Sequence, residues 1–185
     1  TEERFRRDVN CVKEEVELVI PGPRPVLLVG KPDCVKREGD CVYVYEFATA
    51  KSGHVSYYKL VQKSAQAAFY ALAYEERCKR AGACKCVRAY VVFEVNGIRY
   101  AIELPRDAAG RARRWIAEAV GGNVVHKLYF CGNCPFKGLC TAKAKSDRVR
   151  YDREFALEML KRAVAAGLPT KRSWYGAKAV AEEKD

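Results

Sequence analysis

Apolar and charged residues alternate from Cys11 to Ile20, with Val12, Val16, Leu18 and Ile20 on one side, the period of a half-buried strand. Pro21-Gly22-Pro23 then breaks the chain. Pro25 to Gly30 is a short apolar run and reads as a second strand. Cys41 to Phe47 is a third, rich in β-branched and aromatic residues, with Glu38-Gly39-Asp40 as the turn before it. Beyond Ser56 the period changes to that of a helix. Leu60, Ala68, Phe69, Leu72 and Ala73 form one stripe between a Ser cap and Gly82, which predicts a helix from about Tyr57 to Arg80. Cys86–Val95 and Ile98–Leu104 flank Asn96-Gly97, a two-residue hairpin signal. A further helix is expected over Pro105–Val120, with Trp115, Ile116, Ala119 and Val120 on one face. The last runs from an Asp152 cap to Ala166, before Gly167 and Pro169. Residues 1–10 read as the end of a helix. The order β-β-β-α-β-β-α predicts a mixed α/β domain with a central sheet.

Composition narrows the class. With 185 residues, 49% hydrophobic and 31% charged, the chain can bury a real core as one domain. No apolar run approaches a membrane span, and the first residues are charged rather than an apolar signal core. The net charge of +11 is uneven. Residues 105–185 carry 17 Lys and Arg against 9 Asp and Glu, whereas residues 1–104 carry 17 against 14. A basic half points to a polyanion such as nucleic acid. Nine cysteines with a single Met suggest a metal or cluster site, or the intracellular disulfides of a thermophile, or both. There is no P-loop, dinucleotide fingerprint or serine elbow, and the two histidines, His54 and His126, are read as surface residues.

The hairpin around residues 26–47 carries candidate chemistry. Asp33 follows one expected strand and Glu46 ends the next. Neighbouring strands lie ~4.8 Å apart, so two such carboxylates can share one Mg²⁺ or Mn²⁺. A lysine two residues after the glutamate would complete a phosphate-cleaving site, but that position is Ala48. Lys51 stands three residues further on. Gln66 and Tyr70 sit at i and i+4 of the following helix, on one face.

Pro32-Asp33, Glu46 and Gln66-x-x-x-Tyr70 in this order resemble the RecB-like branch of the PD-(D/E)xK nuclease superfamily. With Cys131-x2-Cys134-Pro135-Phe136-x3-Cys140 added, the chain resembles the CRISPR-associated RecB-family exonucleases that carry an iron–sulfur cluster. The resemblance runs over about Cys11 to Cys140. It implies a restriction-endonuclease-like mixed central sheet flanked by helices. A nuclease-like core would span residues 1–130, and a cysteine-rich lid, basic helix and tail would span 131–185 of the same compact domain. It implies Asp33 and Glu46 as metal ligands, and Gln66 and Tyr70 as contacts to substrate and the site's edge. Cys131, Cys134 and Cys140 would be three ligands of the cluster. In that family a fourth cysteine and a metal-binding histidine precede the first strand. This chain opens at Thr1 with little of that segment, so both are expected to be missing or to lie outside it.

Cys-x2-Cys-x5-Cys with its glycines and proline reads as a loop wound around a metal. Cys11 is one candidate for the fourth ligand. His126 is the other, and would make a Cys3His zinc site. The alternative is a disulfide between two of the three. Cys34 and Cys41 can pair across the hairpin loop, and Cys78 with Cys84 or Cys86 can staple the long helix to the next strand. Lys143, Lys145, Arg148, Arg150 and Arg153, followed by Lys171 and Arg172, form a basic tract suited to phosphates. Tyr151, Trp174 and Tyr175 are available for stacking.

Three functions are expected, in this order. The first is DNA binding by a nuclease fold impaired at Ala48, serving in spacer acquisition or as a nucleoprotein coat, with a homo-oligomer or filament as a further partner. It would be cytoplasmic in an archaeon or associated with a virion. The second is an active metal-dependent exonuclease, with Lys51 in place of the missing lysine or Ala48 an introduced change. The third is a zinc-stapled interaction module.

Overall fold

The computed structural model describes residues 1–21, 25–120 and 152–171. A short helix, α1 (Glu2–Val9), opens the chain, capped by the Thr1 hydroxyl. The strands β1 (Val16–Ile20) and β2 (Val26–Gly30) follow as an antiparallel ribbon, with Leu18 opposite Leu28. Next come β3 (Cys34–Glu38), β4 (Cys41–Ala50), the two-residue β5 (Val55–Ser56) and the long helix α2 (Tyr57–Ala81). The hairpin β6 (Cys86–Val95) and β7 (Ile98–Glu103), then helices α3 (Ala108–Val120) and α4 (Arg153–Ala165), lead to β8 (Thr170–Lys171).

Four strands form the central sheet in the order β3-β4-β6-β7. β3/β4 and β6/β7 are antiparallel, while β4 and β6 are parallel and joined by α2, the crossover that a parallel pair requires. This is the mixed α/β architecture expected of a restriction-endonuclease-like domain. Alternation along β4 sorts its side chains. Val42, Val44, Glu46 and Ala48 face α2, and Tyr43, Tyr45 and Phe47 face the other way. The alanine-rich face of α2 (Ala67, Ala68, Ala71) lets it lie close on Val44, Val91 and Phe93. On the opposite face Phe5 of α1 stacks on Phe47, with ring centroids 5.0 Å apart.

The sequence pattern makes one hairpin of the strand ending at Gly30 and the strand from Cys41, and the structure separates them. Among the described residues β2 pairs only with β1, and a separate strand, β3, intervenes and pairs with β4. The sequence Cys-Val-Lys-Arg-Glu is too polar to announce a strand by its own pattern. It is held by the β4 ladder on one edge and a Val12–Val35 bridge on the other. The first strand is correspondingly shorter than Cys11–Ile20. The other boundaries match the expected ones within a few residues. Ser56 caps α2, Gly82 ends it in the left-handed region at φ 58°, and Asp152 caps α4. The Asp152 carboxylate also accepts from the Trp115 indole at 2.9 Å and from Arg111 at 3.1 Å, which ties α3 to α4.

Candidate active site at the β3–β4–α2 junction

Asp33 stands immediately before β3, after the Gly30-Lys31-Pro32 connection from the ribbon. Its carboxylate Oδ2 accepts the main-chain N–H of Phe47 at 2.9 Å. The Glu46 carboxylate in turn accepts the main-chain N–H of Asp33. This reciprocal pair of bonds locks the two acids side by side, and it needs the β3–β4 register to form. Glu46 lies in the middle of β4, not at its end, and is only 2% exposed.

A buried carboxylate requires a partner, and the partner is a residue the sequence reading did not single out. Lys63, on the second turn of α2, donates to Glu46 Oε2 at 2.9 Å. Ala48, two residues after Glu46, packs in the core beneath α2. Lys51 lies exposed in the turn after β4 and pairs with neither acid. The available signal for Lys63 was its position three residues before Gln66, which puts it on the same helix face as Gln66 and Tyr70. Gln66 Nε2 lies 3.5 Å from the Tyr70 hydroxyl, and that hydroxyl also accepts from the main chain of Lys31. A second lysine, Lys13, reaches from the segment before β1. It lies 2.8 Å from Glu2 and 3.6 Å from Asp33 Oδ1, the oxygen that Phe47 leaves free.

Electrostatics follow from this packing. Burial, and then the neighbouring Asp33, push the Glu46 carboxyl up to about 7, against the pull of Lys63. Burial opposes the charge on Lys63, but the Glu46 carboxylate outweighs it and raises the ammonium above its ordinary value. Burial also raises the Tyr70 phenol.

Oxygen donors from two adjacent carboxylates fit a hard divalent cation, Mg²⁺ or Mn²⁺. The raised Glu46 carboxyl supports that fit, because a cation between the acids would offset both the burial and the mutual repulsion that raise it.

The cysteine expectations divide. Cys78 and Cys84 are joined as one of the two expected pairings, with Cα atoms 5.1 Å apart. The Cys34–Cys41 pairing is overturned: Cys34 bonds Cys11 and Cys41 bonds Cys86. The reason is register. Cys34 lies opposite Tyr45 and Cys41 opposite Glu38, whereas Cys41 and Cys86 are direct partners on β4 and β6. Cys11, held in a disulfide, is therefore not a cluster ligand. Cys131, Cys134, Cys140 and His126 lie outside the described residues, as do Lys143, Lys145, Arg148, Arg150 and Arg172. Arg153 is the exposed first residue of α4, and Lys171 sits in β8 opposite Ser56, beside the start of α2.

The structure thus brings together two carboxylates, one just before β3 and one in the middle of β4, a lysine at the oxygens of the second, and a glutamine–tyrosine pair on the helix beside them. The chain belongs to the PD-(D/E)XK nuclease superfamily, whose family model matches residues 1–141. A search of curated proteins returns no match. Among solved structures, one titled "Crystal structure of SSO0001" is similar at 18% identity with a TM-score of 0.47, over 77% of this chain and 65% of that one.

Proposed function

We propose that this protein binds DNA and cleaves its phosphodiester backbone at the Asp33–Glu46 site, with Lys63 supplying the positive charge that the motif position, Ala48, lacks. The observation that carries this reading is the 2.9 Å contact between Lys63 Nζ and Glu46 Oε2. Asp33 and Glu46 would hold Mg²⁺ or Mn²⁺, which when bound polarises a phosphate and activates a water. The protein's own groups do the rest. Lys63 places an ammonium beside the Glu46 carboxylate, where negative charge grows on the phosphate during attack. Gln66 and Tyr70 line the edge along which the strand passes. Lys13, at Asp33, adds a second cation for the backbone. Affinity is shared with the basic C-terminal half, so it falls steeply as salt rises.

A second reading is favoured by a different observation. Glu46 is 2% exposed and already satisfied by Lys63 and by the Asp33 main chain. A cation must displace or share that pairing, and a chain in which it does not would bind DNA without cutting it. That protein would serve as an accessory in spacer acquisition or as a coat on DNA, alone or as an oligomer, with the Cys131–Cys140 loop holding an iron–sulfur cluster or zinc. One experiment separates the two. The protein is incubated with labelled linear DNA and Mn²⁺, beside Asp33→Asn and Lys63→Met variants. Cleavage lost in both variants supports the first reading. Salt-sensitive binding with no cleavage in any of the three supports the second.

A further inference from the structure

A small cavity opens beside the Gln66–Tyr70 pair, between the β1–β2 ribbon and α2. Its volume is about 220 Å³. The deep walls are apolar: Val16 and Leu18 from β1, Leu28 from β2, and Phe69 and Ala73 from α2. Its polar groups are the Gln66 carboxamide and the Tyr70 hydroxyl. Gly30 lies against the edge of the Tyr70 ring, where a side chain would collide with it.

Size and composition restrict what can enter. Pockets for whole ligands run to ~300–1,000 Å³, so this one is too small for a nucleotide with its sugar and phosphate. It has no charged wall and would not hold a free anion. An apolar slot with one amide beside it suits a flat heteroaromatic ring whose edge bears donors and acceptors. Lysines stand next to its lining in the chain or share the helix face of Gln66 and Tyr70. Lys31 follows Gly30 directly and is exposed, with no ion-pair partner among the described residues. Lys63 precedes Gln66 by one turn, and Lys13 stands at Asp33. A ring attached to a polyanionic backbone therefore matches both the slot and the charge around it.

We propose that this cavity is a subsite for one unstacked nucleobase of the bound strand, with Gln66 facing the edge of the base and Lys31 and Lys63 its flanking phosphates. The subsite rests on the nucleic-acid reading above and deepens it. A strand must offer an unpaired base to occupy it, so a single strand or a frayed end binds in preference to an intact duplex.

The test uses the full chain with Ca²⁺ in place of Mg²⁺, so that DNA is bound without being consumed. Oligonucleotides each carry one 2-aminopurine, moved stepwise along the strand. A base leaving its stack brightens, so the expected result is a rise in fluorescence confined to one or two positions. Two variants fill the slot from opposite walls, Ala73→Leu and Leu28→Trp, and both are checked for folding by thermal melting. In each folded variant the rise should vanish, and single-strand affinity should fall by roughly tenfold, in the range of one lost base-stacking contact, while duplex affinity changes little. DNA binding with no position-specific rise, or a rise unchanged in a folded filled variant, overturns the subsite and leaves the nucleic-acid reading standing. No DNA binding at all overturns both.

Discussion

Lys63 and Glu46 lie 17 residues apart in the chain, one on a helix and one on a strand, and meet at 2.9 Å in the interior. The pairing gives this site a cation without a lysine on the strand that carries the glutamate. It also sets Lys63 on one stripe of the helix with Gln66 and Tyr70, beside the two acids. The position of α2 over β4 thus sets the geometry of the whole site.

If Lys63 stabilises charge on the phosphate, replacing it with methionine removes that term while keeping much of the side-chain volume. The Mn²⁺-dependent cleavage rate should fall by about 10²–10³, the usual cost of one preorganised stabilising group. DNA affinity should fall far less. An Ala48→Lys change in the Lys63→Met background tests whether the position on the strand can take over. Ala48 faces the same side of β4 as Glu46, so partial recovery is expected. An unchanged rate in Lys63→Met would exclude the role.

Glu46 should make stability and metal binding depend on pH in opposite directions. Its carboxyl titrates near 7 in the folded protein against 4.5 for an ordinary glutamate, because burial disfavours the charge. The native state holds that proton more tightly than the unfolded chain. The resulting stabilisation is therefore complete below pH 4.5 and lost as pH rises to about 7, by roughly 3 kcal/mol in all. Urea unfolding without metal should show this slope, and Glu46→Gln should abolish it. Mn²⁺ affinity should instead rise with pH, about tenfold per unit below 7, because the cation competes with the proton. A flat affinity between pH 5.5 and 7 would contradict the assignment.

The Cys11–Cys34 disulfide joins the segment bearing Lys13 to the residue next to Asp33. Its two ends are 23 residues apart, and closing a loop of that size removes about 3 kcal/mol worth of unfolded-chain entropy. Cys11→Ser should lower the melting temperature accordingly, and should lower Mn²⁺ affinity as Asp33 loses its anchor. Melting that is insensitive to the change would show the bridge to be incidental.

Gly30 is the place where the ribbon meets the edge of the Tyr70 ring. Its added Cβ would overlap the ring, whose Cζ would lie at 3.2 Å. Gly30→Ala should displace Tyr70 at a cost of about 1–3 kcal/mol, weakening DNA binding, and Tyr70→Phe in the same background should not restore it. A wild-type melting temperature in Gly30→Ala would show that the ribbon can shift to make room.

Much of this molecule was legible in one dimension. The long helix with its Ser56 cap and Gly82 stop, the Asn96-Gly97 hairpin and the Asp152 cap follow from local patterns. Asp33, Glu46, Gln66 and Tyr70 stand out in the sequence by type and order, and the fold sets Asp33 beside Glu46 and Gln66 beside Tyr70. These are short-range properties: a cap, a turn or a period needs only its neighbours in the chain. What the tertiary structure decided is of longer range. β3 is a strand because β4 and Val12 offer it hydrogen bonds, not because of its own composition. Cys41 finds Cys86 because β4 and β6 run parallel in that register. Lys63 meets Glu46 because α2 crosses over β4 at that buried residue, and a carboxylate removed from water takes the nearest cation the packing allows, whatever its place in the sequence.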